Sequence, residues 1–135
     1  MTTRATILSR AFGRLSMGDY EFDVTPDERA VARGVLDGML AEWAATGTDL
    51  GHTPSDGDND AEDMTTPAWS DQGVIANLAL RMASDFGKTP GSGLIKDAKR
   101  GYDLAVTKTL FIPTAQRAQS VAHGGGERYY RRFYF

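Results

Sequence analysis

Apolar side chains recur at helical spacing in four stretches, and turn residues separate them. In residues 3 to 14, Ala5, Leu8 or Ser9, and Phe12 share a face, which Gly13 and Met17-Gly18-Asp19 bring to an end. Thr25-Pro26-Asp27-Glu28 predicts a helix start, with threonine as the cap, proline in the first turn and a glutamate whose carboxylate reaches back to the cap amide. That helix runs to about Thr46 and stops at Gly47, with Ala32, Leu36, Met39, Leu40 and Trp43 on its apolar face. A second stripe, Ala30, Gly34, Gly38, Ala41 and Ala45, runs along the same helix. Interior glycines cost a helix roughly 1 kcal/mol each against alanine, so this stripe predicts that another backbone comes close, from the same chain or from a neighbouring subunit. From Ala68 a third helix carries Val74, Leu78, Met82 and Phe86 one turn apart and ends at Gly87. A fourth, from Gly91 or Ser92 to Thr109, packs Leu94 or Ile95, Ala98, Tyr102, Ala105 and Val106 and exposes Lys96, Lys99, Arg100 and Lys108, with Pro113 beyond it.

Two segments break the pattern. Residues 47 to 67 hold Gly47, Gly51, Pro54, Gly57 and Pro67 together with Asp49, Asp56, Asp58, Asp60, Glu62 and Asp63, and no lysine or arginine. A loop of this length inside a compact domain is a functional or a disordered one, and it is expected to be mobile. After residue 112 the periodicity fades, Gly124-Gly125-Gly126 forms a hinge, and the chain ends Arg128-Tyr129-Tyr130-Arg131-Arg132-Phe133-Tyr134-Phe135. The reading is therefore an all-α protein: a small bundle of about four helices in residues 1 to 112, with a long acidic loop, and a C-terminal extension over residues 113 to 135.

Composition narrows this further. Ordinary proportions of hydrophobic residues (41%) and charged residues (24%) in 135 residues suit one domain, and the absence of cysteine excludes disulfides and a cysteine nucleophile. No stretch reaches the roughly 20 apolar residues of a membrane span, so no membrane partner is expected. The net charge of -3 conceals opposed halves: residues 1 to 87 sum to -9 (15 acids, 6 bases) and residues 88 to 135 to +6 (3 acids, 9 bases). Segregation of this kind marks interaction surfaces more than fold.

Candidate chemistry is sparse. Gly87-Lys88-Thr89 has methionine at position 82, where a phosphate loop needs glycine, and it closes a helix instead of opening one. Asp56, Asp58 and Asp60 match the start of a calcium loop, but Ala61 and Pro67 stand where its glycine and bidentate glutamate belong. His52 and His123 lie in glycine-rich loops with no partner at ligand spacing, and Ser92 is not in a nucleophile elbow. Glu42 beside Trp43 is the one carboxylate that suggests a hydrolase, and it is read as lying on the wet side of its helix. The expectation is a chain that is not an enzyme and binds neither cofactor nor metal. In the tail, five of the 13 aromatic residues fall in the last seven positions among arginines, which predicts a partner surface. Arginine alternating with aromatic rings also suits stacking on nucleic acid. With the basic helix 92 to 109, it supports the alternative of a nucleic-acid-binding helical module.

The run Leu36-Asp37-Gly38-Met39-Leu40-Ala41-Glu42-Trp43, followed by Gly47, Leu50-Gly51, the acidic loop and then Asn77-Leu78-Ala79-Leu80-Arg81-Met82-Ala83-Ser84-Asp85-Phe86-Gly87-Lys88, resembles the tail accessory factors of short-tailed phages. These are also called packaged-DNA stabilisation proteins or head-to-tail adaptors, and the similarity spans about residues 5 to 110. The resemblance implies a structural virion protein, made in the host cytoplasm, whose helical body forms a ring, expected to be dodecameric, under the portal protein. There it would extend the DNA channel, retain packaged DNA that passes without sequence-specific binding, and meet further tail proteins such as a nozzle or tail fibre. On that reading Arg128, Tyr129, Tyr130, Arg131, Arg132, Phe133, Tyr134 and Phe135 bind the portal or a neighbouring subunit. Ala30, Gly34, Gly38, Ala41 and Ala45 serve subunit or helix packing, and Asp56, Asp58, Asp60 and Glu62 face the channel.

Overall fold

A computed structural model describes residues 1–15, 24–54, 57 and 59–112. Four helices follow in order: α1 (Arg4–Leu15), α2 (Pro26–Ala45), α3 (Asp71–Asp85), entered through a 3₁₀ turn at Ala68–Ser70, and α4 (Ser92–Thr109). There is no strand among the described residues, only an isolated antiparallel bridge between Thr3 and Asp63.

Helix α2 starts as its sequence dictates. The Glu28 amide donates to Thr25 Oγ1 (3.3 Å) and the Thr25 amide donates back to Glu28 Oε2 (2.9 Å), which satisfies two of the amides a helix start leaves unpaired. Its apolar face is the expected one, with Ala32, Leu36, Met39, Leu40 and Trp43 all buried. At its end Gly47 adopts φ +94°, and the Thr48 amide reaches back to the Trp43 carbonyl (2.8 Å).

Helix α3 is the centre of the molecule, packed against α1, α2 and, most extensively, α4. A helix covered on several sides loses the one-sided pattern, and α3 buries Val74, Leu78 and Met82 on one side with Ile75, Ala76, Ala79 and Ala83 around the rest. Phe86 is half-buried and meets Phe12 edge-on, ring centres 5.6 Å apart. In α1 the buried set is Ile7, Leu8, Ala11 and Phe12. Ala5 is only partly covered and Ser9 is exposed, so the face is centred differently from the Ala5–Ser9 reading. In α4 Leu94, not Ile95, is the core residue, followed by Ala98 and Ala105, while Tyr102 packs its ring 5.1 Å from Trp43.

Helices α3 and α4 touch backbone to backbone. A Cβ placed on Gly101 would lie 2.2 Å from Gly73 Cα, so only a glycine pair permits this crossing. Asn77 fixes the crossing in register by donating to both the Gly73 and Ala98 carbonyls, each at 2.8 Å.

Candidate functional site

The acidic loop does not hang free. Its far side folds back on the start of α1: the Arg4 and Ala5 amides donate to the Glu62 and Asp60 carbonyls (2.9 Å each), and the Met64 amide donates to the Thr2 carbonyl (2.9 Å). Leu50 and Met64 are buried in the core, and the Thr53 amide donates to Thr65 Oγ1 (3.0 Å), closing the loop on itself. The expectation of a mobile segment is corrected for its described part. Two apolar anchors and three backbone bonds hold a loop that composition alone reads as solvated. Of the expected channel-facing residues, Asp56 and Asp58 lie outside the described residues. Glu62 is exposed, and Asp60 is half-buried with its Oδ1 3.0 Å from Arg33 Nε on α2.

Beneath the loop lies a polar cluster that the sequence did not disclose. Arg4, buried at the start of α1, is ion-paired with Asp37 of α2, and His52 Nε2 sits 2.8 Å from the same Asp37 oxygen. One carboxylate thus clamps α1, α2 and the loop together. Arg4 and His52 also line a cavity of about 10 Å³, the scale of a single water. Their separation of 15 positions matches no motif; the only signal was that Asp37 sits among the core positions of α2.

The small-residue stripe on α2 faces outward. Ala30, Gly34, Gly38, Ala41 and Ala45 are all exposed, and a Cβ on Gly34 or Gly38 would meet nothing within 4 Å. The reading that a helix of the same chain crosses there is therefore corrected among the described residues: the glycine crossing is Gly73 on Gly101. The tail residues Arg128, Tyr129, Tyr130, Arg131, Arg132, Phe133, Tyr134 and Phe135, with the whole extension 113 to 135, lie outside the described residues. On α4, Lys96, Lys99, Arg100 and Lys108 are exposed as expected. Beside them a groove of about 250 Å³ opens along the glycine crossing.

Glu42 is exposed and Trp43 is core, as the sequence suggested. Arg81 donates to Glu42 Oε2 (2.7 Å), and this hydrogen bond, reinforced by the guanidinium charge, holds the carboxyl below its usual range. A carboxylate kept ionised in this way is unsuited to donating a proton as a general acid. No group of three or more His, Cys, Asp or Glu side chains able to hold a metal occurs among the described residues, and no helix there is long and apolar enough to cross a membrane.

The profile of one family, the P22 tail accessory factor, matches residues 12–133. The chain belongs to that family. As a tail accessory factor it has a structural role in a phage virion, and the match runs through the helical body and the C-terminal extension alike. The tail accessory factor is also 31% identical, over 132 residues, to a protein named "Peptidoglycan hydrolase gp27" from Acyrthosiphon pisum secondary endosymbiont phage 1, covering 94% of this chain and 82% of that protein. This relative corrects the expectation of a chain that is not an enzyme. That expectation rested on the lack of a recognisable catalytic motif, and a relative with a hydrolase name shows that a missing motif does not decide the matter.

Proposed function

We propose that this tail accessory factor is a head-to-tail adaptor: copies form a ring under the portal protein, extend the DNA channel and help retain packaged DNA. The family match over residues 12–133 is the observation that carries the reading. The fold supports it in two ways. The α2 small-residue stripe is left open to a neighbouring subunit, and the described part of the acidic loop is tied to the start of α1 with Glu62 exposed, a carboxylate that repels phosphates so that DNA slides past without adhering. The aromatic and arginine residues 128 to 135 supply the attachment to the portal, through side chains of the kinds that dominate interface energies. Deleting residues 128 to 135 and pulling down on portal rings at low and high salt tests this. Loss of capture at both salt concentrations is expected. Full capture of the truncated chain would refute the attachment, and capture that depends steeply on salt would favour the nucleic-acid-binding alternative.

A second reading, cleavage of peptidoglycan, is favoured by the name of the relative and sits beside the first, because a tail component that reaches the cell wall has use for both. Release of soluble fragments from purified sacculi by the isolated chain is its test. Glu42→Gln, which removes the carboxylate, shows whether that group takes part, and unchanged release would exclude it.

A further inference from the structure

The described residues leave two apolar surfaces uncovered. The first is the groove at the α3–α4 crossing, about 250 Å³, where Trp69, Leu104 and the glycines Gly73 and Gly101 form the apolar part of the lining and Arg14, Gln72, Asp97 and Arg100 the polar part. Trp69 is 40% exposed and Leu104 42%, although both are large apolar residues next to a packed crossing. The second is the segment that follows α4: Leu110, Phe111 and Ile112 are 61%, 84% and 75% exposed, three consecutive large apolar side chains in water. Scattered apolar residues on a surface are ordinary, but a contiguous block facing solvent marks a contact.

We infer that the groove receives residues 110 to 112 of a second copy of this chain, with Phe111 as the anchor between Trp69 and Leu104. This rests on the ring proposed above and names the surface that would build it. Three observations select the occupant. Cavities of about 150 Å³ already accept a benzene ring, so a groove of about 250 Å³ takes a phenyl group and part of a neighbouring aliphatic chain. On the rim, Arg14 is paired with Asp97 at 2.8 Å, while Arg100 makes no ion pair among the described residues. That leaves a guanidinium available over the face of an incoming ring. Leu110 leaves α4 in an extended conformation, and among the described residues nothing covers residues 110 to 112, which do not occupy the groove beside their own helix; the groove of another copy is where they are received. A contact in which one patch meets a different patch is heterologous, and it propagates head to tail into a ring when the rotation closes. The portal would fix that rotation.

The absence of cysteine makes the test clean. Ile112→Cys and Gln72→Cys, which leave the Phe111 anchor and the Trp69 and Leu104 walls in place, are made in separate chains, mixed on portal rings and oxidised. Covalent dimers are expected from the mixture and not from either variant alone, and a chain carrying both substitutions should give a ladder of covalent oligomers. Phe111→Ala should lower the amount of chain assembled on the portal by about tenfold or more, with helicity unchanged because Phe111 lies beyond the end of α4 and is 84% exposed. Assembly of the cysteine variants on the portal without these cross-links, or full assembly of Phe111→Ala, overturns the contact and leaves the adaptor reading standing. Failure of the parent chain to assemble on the portal overturns both.

Discussion

Asp37 holds more of the molecule together than any other polar residue described. It accepts from Arg4 and faces His52, so removing its carboxylate leaves a buried guanidinium opposite no anion. Asp37→Ala should therefore cost about 2–3 kcal/mol, short of the full buried-pair range because the Asp37 side chain is partly open to water. Urea unfolding measures this, and a loss under about 0.5 kcal/mol, the ordinary size for a surface substitution, would contradict the clamp. Glu42 provides a second test. Its carboxyl titrates below the usual range because Arg81 hydrogen-bonds to its ionised form and adds a positive charge beside it. With the folded value below the unfolded one, the pair contributes at neutral pH, and the contribution disappears as pH falls through the folded midpoint. Carboxyl NMR should place that midpoint low in the parent chain and return it to the ordinary carboxylate range in Arg81→Met. An unmoved midpoint would remove the ion pair from the account. Neither residue's role could be read along the chain, since Asp37 meets partners 33 positions before it and 15 after it, and Glu42 meets one 39 positions away.

Among the elements, legibility followed the range of the interaction. Helix α2 was plain in the sequence because its start is decided within four residues, by Thr25, Pro26 and Glu28, and its core face by a simple period. The glycines misled for the opposite reason. Five small residues in a row on α2 read as a crossing yet face outward, whereas the true crossing uses single glycines on two helices, Gly73 and Gly101, which in sequence are only isolated poor helix formers. Substitution separates the two cases. Gly101→Ala should cost about 2–3 kcal/mol, because its Cβ would collide with the Gly73 backbone, which cannot swing aside like a flexible side chain. Gly38→Ala meets nothing and should raise stability by about 0.5–1 kcal/mol through helix propensity. Thermal unfolding of the pair decides it, and equal effects of the same sign would contradict the assignment. The acidic loop belongs to the illegible class as well. Its backbone bonds to Thr2, Arg4 and Ala5 join segments more than 50 positions apart, and Leu50 and Met64 are too few to make a period.

For the whole molecule, the order of events is a rigid helical body with a pinned acidic loop at one place and an exposed apolar segment leading into a basic, aromatic extension at another. Charge is divided along the chain as well, -9 over residues 1 to 87 and +6 over residues 88 to 135. Large permanent interfaces are more apolar than this surface, and the chain should therefore be a monomer or small oligomer alone and a ring only on its template. The most direct measurement is the mass of the particle formed when the purified chain is mixed with isolated portal rings. One discrete species is expected, heavier than the portal by a full set of chains, one for each portal subunit, with no ring at micromolar concentration when the portal is left out. A portal that keeps its own mass in the presence of excess chain would contradict it.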